Sequence, residues 1–170
     1  MPERDTLLAA NEVFAESFSH GHLPMPPARR LAIVTCMDAR LDPARFLGLE
    51  PGDAHVIRNA GGLVTDDAIR SLCISHRLLG TQEVVVIAHT DCGMLTFSND
   101  DLRERLRAEA GVDAGEVDFL PFTDLEESVR RSLTAVRESE WLPDSLELSG
   151  WIYDVREGRL AEVREVAQAA

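Results

Sequence analysis

Two unbroken apolar segments, "LAIVT" at 31–35 and "EVVVIA" at 83–88, limit the fold more than any other feature of the chain. Each is of strand length, rich in β-branched residues, and leaves no polar face. A strand without a polar face is buried on both sides, the condition of an interior strand in a parallel sheet covered by helices. "AHVIRN" (54–59) reads as another strand. Helical signals lie between them. Asp42 precedes Pro43 as N-cap of a short helix in "LDPARFLGL". Thr65 caps a helix over 66–79, with Asp66 and Asp67 in its first turn and Gly80 as terminator. Further helical patterns cover 100–109 and 124–139, and "SGWIYDVREGRLAEV" predicts a C-terminal hairpin turning at Glu157 and Gly158. Ahead of the first strand, Leu7, Leu8, Val13, Phe14 and Phe18 form a stripe over 6–18, which the prolines of "GHLPMPPARR" (21–30) interrupt. The expectation is one α/β domain over 1–170: a mainly parallel sheet flanked by helices, an N-terminal helical arm over 1–30, and a C-terminal hairpin.

Open parallel sheets collect ligands beyond the carboxyl ends of their strands, where strand order reverses. The unusual polar residues of this chain sit at three such ends. "CMDAR" places Cys36, Asp38 and Arg40 after the first strand. Arg58, Asn59, Gly61 and Gly62 follow the second, and "AHTDCGM" places His89 and Cys92 after the third. His89-x-x-Cys92 spans a distance from which both side chains reach one ion, and Cys36 lies on the strand expected alongside. Two thiolates and an imidazole favour zinc, and three protein ligands leave a fourth position for water or substrate. Taken alone, H-x-x-C is equally a hydrogen-bonded histidine beside a small buried thiol. C-x-D-x-R alone is equally a turn with an exposed ion pair. Joint placement at the ends of buried strands favours the metal.

Composition narrows the partners. The net charge is −13, with 17 arginines and no lysine, which opposes binding to nucleic acid or to an anionic membrane surface. No apolar stretch approaches the roughly 20 residues that span a bilayer. The acidic N-terminus lacks the basic start and apolar middle of a signal peptide, so a cytoplasmic protein is expected. There, three cysteines point to metal or catalysis before disulfides. Cys73 is the exception, in line with Ile69, Leu72 and His76 on a helix face, and reads as packing. His55 and His76 read as ordinary strand and helix histidines, and His20 and His22 as solvent-facing. The helix over 124–139 is expected to bury Leu125, Val129, Leu133 and Val136.

"CMDAR", "RNAGG" (58–62), "TDDAIRSL" (65–72) and "HTDCG", with 52 residues between Cys36 and His89, together resemble the β-class carbonic anhydrases. The compact bacterial subgroup containing "MPP", "CMDARLD" and "HTDCGMLTF" is the most similar. The resemblance covers about residues 24 to 97 and extends weakly through the hairpin. It implies one Zn2+ per subunit on Cys36, His89 and Cys92, and a lyase that reversibly hydrates carbon dioxide to bicarbonate. It implies a catalytic dyad in which Asp38 receives the hydrogen bond of the reacting water and Arg40 keeps Asp38 ionised. In a closed state of such sites the aspartate becomes a fourth ligand. Gly93, Gly61, Gly62 and Arg58 fall at substrate-side positions, although Gly61 and Gly62 also read as turn glycines and Arg58 as an ion-pair residue. Ile33 stands where some relatives carry the tryptophan of an inhibitory bicarbonate pocket, so that regulation is not expected. The helical arm implies a homodimer or larger homo-oligomer. Two thiolates offset the charge of a dication, so activity is expected to climb toward alkaline pH. Two alternatives share the motifs: a hydrolase of carbonyl sulfide or carbon disulfide, and a zinc domain without catalysis.

Overall fold

A computed structural model describes residues 2–164; Met1 and residues 165–170, the ends of the expected 1–170 unit, lie outside the described residues. Five strands form one sheet in the order β2-β1-β3-β4-β5. They are β1 (Leu31–Cys36), β2 (Ala54–Asn59), β3 (Glu83–His89), β4 (Glu147–Tyr153) and β5 (Leu160–Val163). The first four are parallel, and β5 returns antiparallel to β4. Strand order therefore reverses at β1 and β3, which lie side by side with Thr35 opposite Ile87. The chain leaves β1 toward one edge and reaches β3 on the other side, opening a crevice between their carboxyl ends.

The unbroken apolar runs follow from burial on both faces. On one face, Ala32, Val34 and Val84 pack with Leu72 of α3 (Asp66–Leu79) and Val136 of α5 (Leu125–Arg137). Val86 and Ala88 meet Val129 and Leu133 of α5 on the same face. On the other face, Ile33, Val85 and Ile87 pack beneath Phe46 and Leu47 of the short α2 (Pro43–Leu47), with Trp151 and Tyr153. Phe46 and Tyr153 stack with ring centroids 4.3 Å apart. Each fully buried branched side chain of this kind is worth roughly 1.5–3 kcal/mol relative to exposure. Gly150 lets α5 lie close on β4, since a Cβ there would meet Val129 and Leu133.

Local signals govern the helix ends, those read from the sequence at Asp42, Thr65 and Gly80 among them. The Asp42 carboxylate accepts from Arg45 N and Thr65 Oγ1 from Ala68 N, while Gly48 and Gly80 close α2 and α3 in the left-handed conformation. A capping box between Ser98 and Asp101 opens α4 (Asn99–Ala110). Three expectations shift. The helix at the N-terminus, α1, runs Glu3–Glu16 instead of 6–18, because Glu3 and Asp5 suit a first turn and Phe18 falls beyond its end. The first arm of the expected hairpin is also the fourth parallel strand, a pairing that no local signal specifies. Leu125 is only partly buried, whereas Val129, Leu133 and Val136 are buried as expected. Cys73 packs partly buried against the α3 face of the core.

Candidate metal centre

Cys36 is the last residue of β1 and His89 the last of β3, so the parallel register delivers both to the same end of the sheet. After β3 the chain turns through Thr90 and Asp91, whose φ of 56° is left-handed, and presents Cys92. The three ligand atoms lie within 4.8 Å of one another. All three residues are buried, at 4%, 0% and 2% exposure.

The ring of His89 is oriented by a backbone group. Nδ1 donates to the Thr90 carbonyl at 2.9 Å, since a carbonyl can only accept. Thr90 is itself held by the neighbouring strand β4 and the turn after it: its N–H donates to the Tyr153 carbonyl and its Oγ1 accepts from Val155 N. With Nδ1 engaged, Nε2 points at the sulfurs, and this buried nitrogen has no hydrogen-bond partner. An unpartnered imidazole nitrogen beside two thiols is an unsatisfied donor set that suits a borderline-soft cation. The residues present therefore fit zinc.

Electrostatics agree with that fit. The hydrogen bond from Cys92 lowers the Cys36 thiol to about 4 against the opposing effect of burial, with help from His89 and the N–H groups of Asp38 and Gly61. Cys92 is pushed up by the same shared bond and by burial. Burial works against protonated His89, but the nearby Cys36 sulfur and the Thr90 carbonyl outweigh it and raise its pKa. The sulfurs thus hold a thiolate charge in a buried place, which a metal dication would neutralise.

Asp38 borders the cluster. Its Oδ2 is 3.7 Å from His89 Nε2. Arg40 holds this carboxylate in parallel, Nε to Oδ1 at 3.0 Å and NH2 to Oδ2 at 2.8 Å, and adds its backbone N–H to Oδ1 at 2.9 Å. Those bonds hold Asp38 well below the usual carboxylate range. Arg58 fixes the loop from beneath, donating Nε to the Cys36 carbonyl at 3.0 Å and NH2 to the Asp38 carbonyl at 2.7 Å. Gly62 (φ 67°) lies so close to β1 that a Cβ would stand 2.7 Å from Cys36 N. A Cβ at Gly61 (φ 85°) would press on Phe122 at 3.0 Å, whereas one at Gly93 would enter open space. A cavity of about 840 Å³, with Leu63, Phe122 and Ser132 among its walls, is lined by none of the three ligand residues.

Asp91 was not among the residues singled out from the sequence. Its carboxylate accepts from Arg40 NH1 at 2.7 Å, and the same bond holds it below the usual carboxylate range. The available signal was its place inside "HTDC", between two ligand positions.

Residues 31–114 match the family described as carbonic anhydrase. The chain is 48% identical over 165 residues to Beta-carbonic anhydrase 1 of Mycobacterium tuberculosis, covering 96% of this chain and 99% of that protein. It is 36% identical over 156 residues to a carbon disulfide hydrolase of Acidithiobacillus thiooxidans, covering 80% of this chain and 78% of that one. Among solved structures, carbonic anhydrase from Streptococcus mutans superposes with a TM-score of 0.93 at 52% identity, covering 96% and 99% of the two chains. Near-complete coverage at these identities, on a shared fold, makes the chain a member of the β-carbonic anhydrase family.

Proposed function

We propose that the protein catalyses the reversible hydration of carbon dioxide to bicarbonate and a proton, with one zinc ion held by Cys36, His89 and Cys92. The observation that carries this reading is the buried Cys-His-Cys cluster beside an Asp38 carboxylate that Arg40 keeps ionised. Zinc supplies acidification of water, so that hydroxide is present near neutral pH. The protein's own groups do the rest. Asp38, ionised and fixed, accepts a hydrogen bond from the reacting water and aims its lone pair. Arg40 and the Arg58 bonds to the loop carbonyls hold Asp38 in that orientation. Gly93, where an added Cβ would meet nothing within 4 Å, offers its N–H to a bicarbonate oxygen in this reading, with Gly61 and Gly62 also on the substrate side. In this arrangement Asp38 faces Arg40.

The carbon disulfide hydrolase relatives supply a second reading on the same residues. Stopped-flow CO2 hydration on zinc-quantified protein between pH 6.5 and 9, beside sulfide release from carbon disulfide, separates them. A hydration rate that climbs with pH is expected. Sulfide release faster than hydration favours the second reading, and no rate above buffer at pH 9 with stoichiometric zinc leaves only a structural metal.

Assembly as at least a dimer belongs to this reading. The 14-residue α1 has no buried residue and exposes Leu7, Leu8, Val13 and Phe14, and an isolated helix of that length is marginal in water. Contact with a second copy would stabilise it. Among the described residues no helix is long and apolar enough to cross a membrane, and the cysteines are free thiols, which suits a cytoplasmic setting.

A further inference from the structure

Asp91 lies between two ligand positions, yet its side chain turns away from the sulfurs and is 63% exposed. Its φ of 56° falls in the left-handed region that side chains other than glycine seldom adopt. That conformation brings two acceptors of one residue onto one guanidinium. Arg40 NH1 donates to Asp91 Oδ2 at 2.7 Å, and Arg40 NH2 donates to the Asp91 carbonyl at 2.8 Å. From its other edge the same guanidinium reaches both oxygens of Asp38. Arg40 is 47% exposed, so without partners its long stem would sample many rotamers. Bonds from two separate loops remove that freedom. Asp38 comes from the loop after β1 and Asp91 from the loop after β3, and Arg40 bridges them.

We propose that Asp91 is a positioning residue for the hydration reaction: by gripping Arg40 from the β3 side it sets the orientation of Asp38. The inference rests on the reading of Asp38 given above. The competing account is a residue present only because aspartate tolerates the left-handed turn, in which case glycine would serve as well. Two acceptors directed at one guanidinium, at 2.7 and 2.8 Å, are not required by a turn.

The test compares Asp91→Gly and Asp91→Asn with the unmodified full chain, all loaded with zinc. Glycine suits the backbone and keeps the carbonyl contact but deletes the carboxylate, whereas asparagine keeps an oxygen acceptor for NH1. The expectation is a fall in kcat of about tenfold for Asp91→Gly with KM within about twofold, and recovery to within about threefold of the parent for Asp91→Asn. The second readout does not depend on turnover. The Arg40 Nε–H resonance, assigned by its loss in Arg40→Lys, should exchange with solvent about tenfold faster in Asp91→Gly and at an intermediate rate in Asp91→Asn. Unchanged Arg40 exchange in Asp91→Gly, or a kcat within about twofold of the parent, overturns the proposal. A parent without hydration activity removes the assigned reaction instead, and the exchange rates then still decide whether Asp91 tethers Arg40.

Discussion

His89 Nε2 stands 3.7 Å from Asp38 Oδ2 while that same oxygen accepts a bond from Arg40 at 2.8 Å. The carboxylate therefore adjoins the ligand cluster without leaving its arginine. The Cys-His-Cys cluster and the Asp38–Arg40 pair are one connected unit, and changes on either side are expected to register on the other.

Zinc binding should release protons. The thiol pair holds one proton on Cys92, whose pKa is raised, while Cys36 gives up its own near 4; His89 is raised and so carries a proton at slightly acid pH. A bound dication requires two thiolates and a neutral imidazole. Titrating zinc into metal-free protein at pH 6, in two buffers of different ionisation enthalpy, should reveal release of about two protons. Release near zero would contradict this protonation pattern. Cys36→Ser should lower zinc affinity by more than about 100-fold, beyond the range for losing an outer partner.

Asp38→Asn should retain stoichiometric zinc and lower kcat by about 10- to 100-fold. Its effect on stability has a defined sign. The folded-state pKa of Asp38 is depressed by Arg40, so its stabilisation is present above the ordinary carboxylate range and is lost as pH falls through the depressed value. The Tm difference between parent and variant should be constant from pH 5 to 8 and shrink only under strong acid. A difference that stays constant down into strong acid would show that Arg40 does not hold Asp38 in solution.

Gly62→Ala should be among the most damaging single-methyl additions. The new Cβ would stand 2.7 Å from Cys36 N and 2.8 Å from the Thr35 carbonyl carbon, both backbone atoms, at a φ of 67°. Neither strand nor turn can yield without moving a ligand. Urea unfolding should show a loss of roughly 2–4 kcal/mol, and zinc content should fall with it. Stability within about 0.5 kcal/mol of the parent would be the ordinary surface result and would refute the close approach.

Charges on the arm should separate subunits. Phe14 is 58% exposed, with the Phe18 ring centroid 5.6 Å from its own, and Leu8 is 53% exposed. Leu8→Glu with Phe14→Glu should reduce the sedimenting mass to that of one chain while the far-ultraviolet spectrum of the sheet persists. An unchanged mass would place the subunit contact elsewhere.

Much of the fold was legible because its signals are local. "LAIVT" and "EVVVIA" became β1 and β3, each lengthened by one residue, Cys36 or His89, of the cluster that could hold a metal. The caps at Asp42 and Thr65 and the stop at Gly80 depend on neighbours within a few residues, so they read directly. Asp91 was not legible, because its role depends on Arg40, 51 positions away, reaching its carboxylate. Arg58 read as a substrate-side residue or an ion-pair residue. Its bonds to the Cys36 and Asp38 carbonyls exist because β2 runs alongside β1, with Cys36 opposite Asn59.

By itself, then, the sequence determined which residue types stand at the carboxyl ends of which strands, since hydrophobic patterning and turn chemistry act over short stretches of chain. Tertiary structure alone decided the meeting. Parallel pairing of β1 with β3 brought Cys36, His89 and Cys92 within 4.8 Å of one another. The same pairing placed two carboxylates from separate loops on one arginine, where distance and direction, which no residue spacing encodes, set what a charge can do.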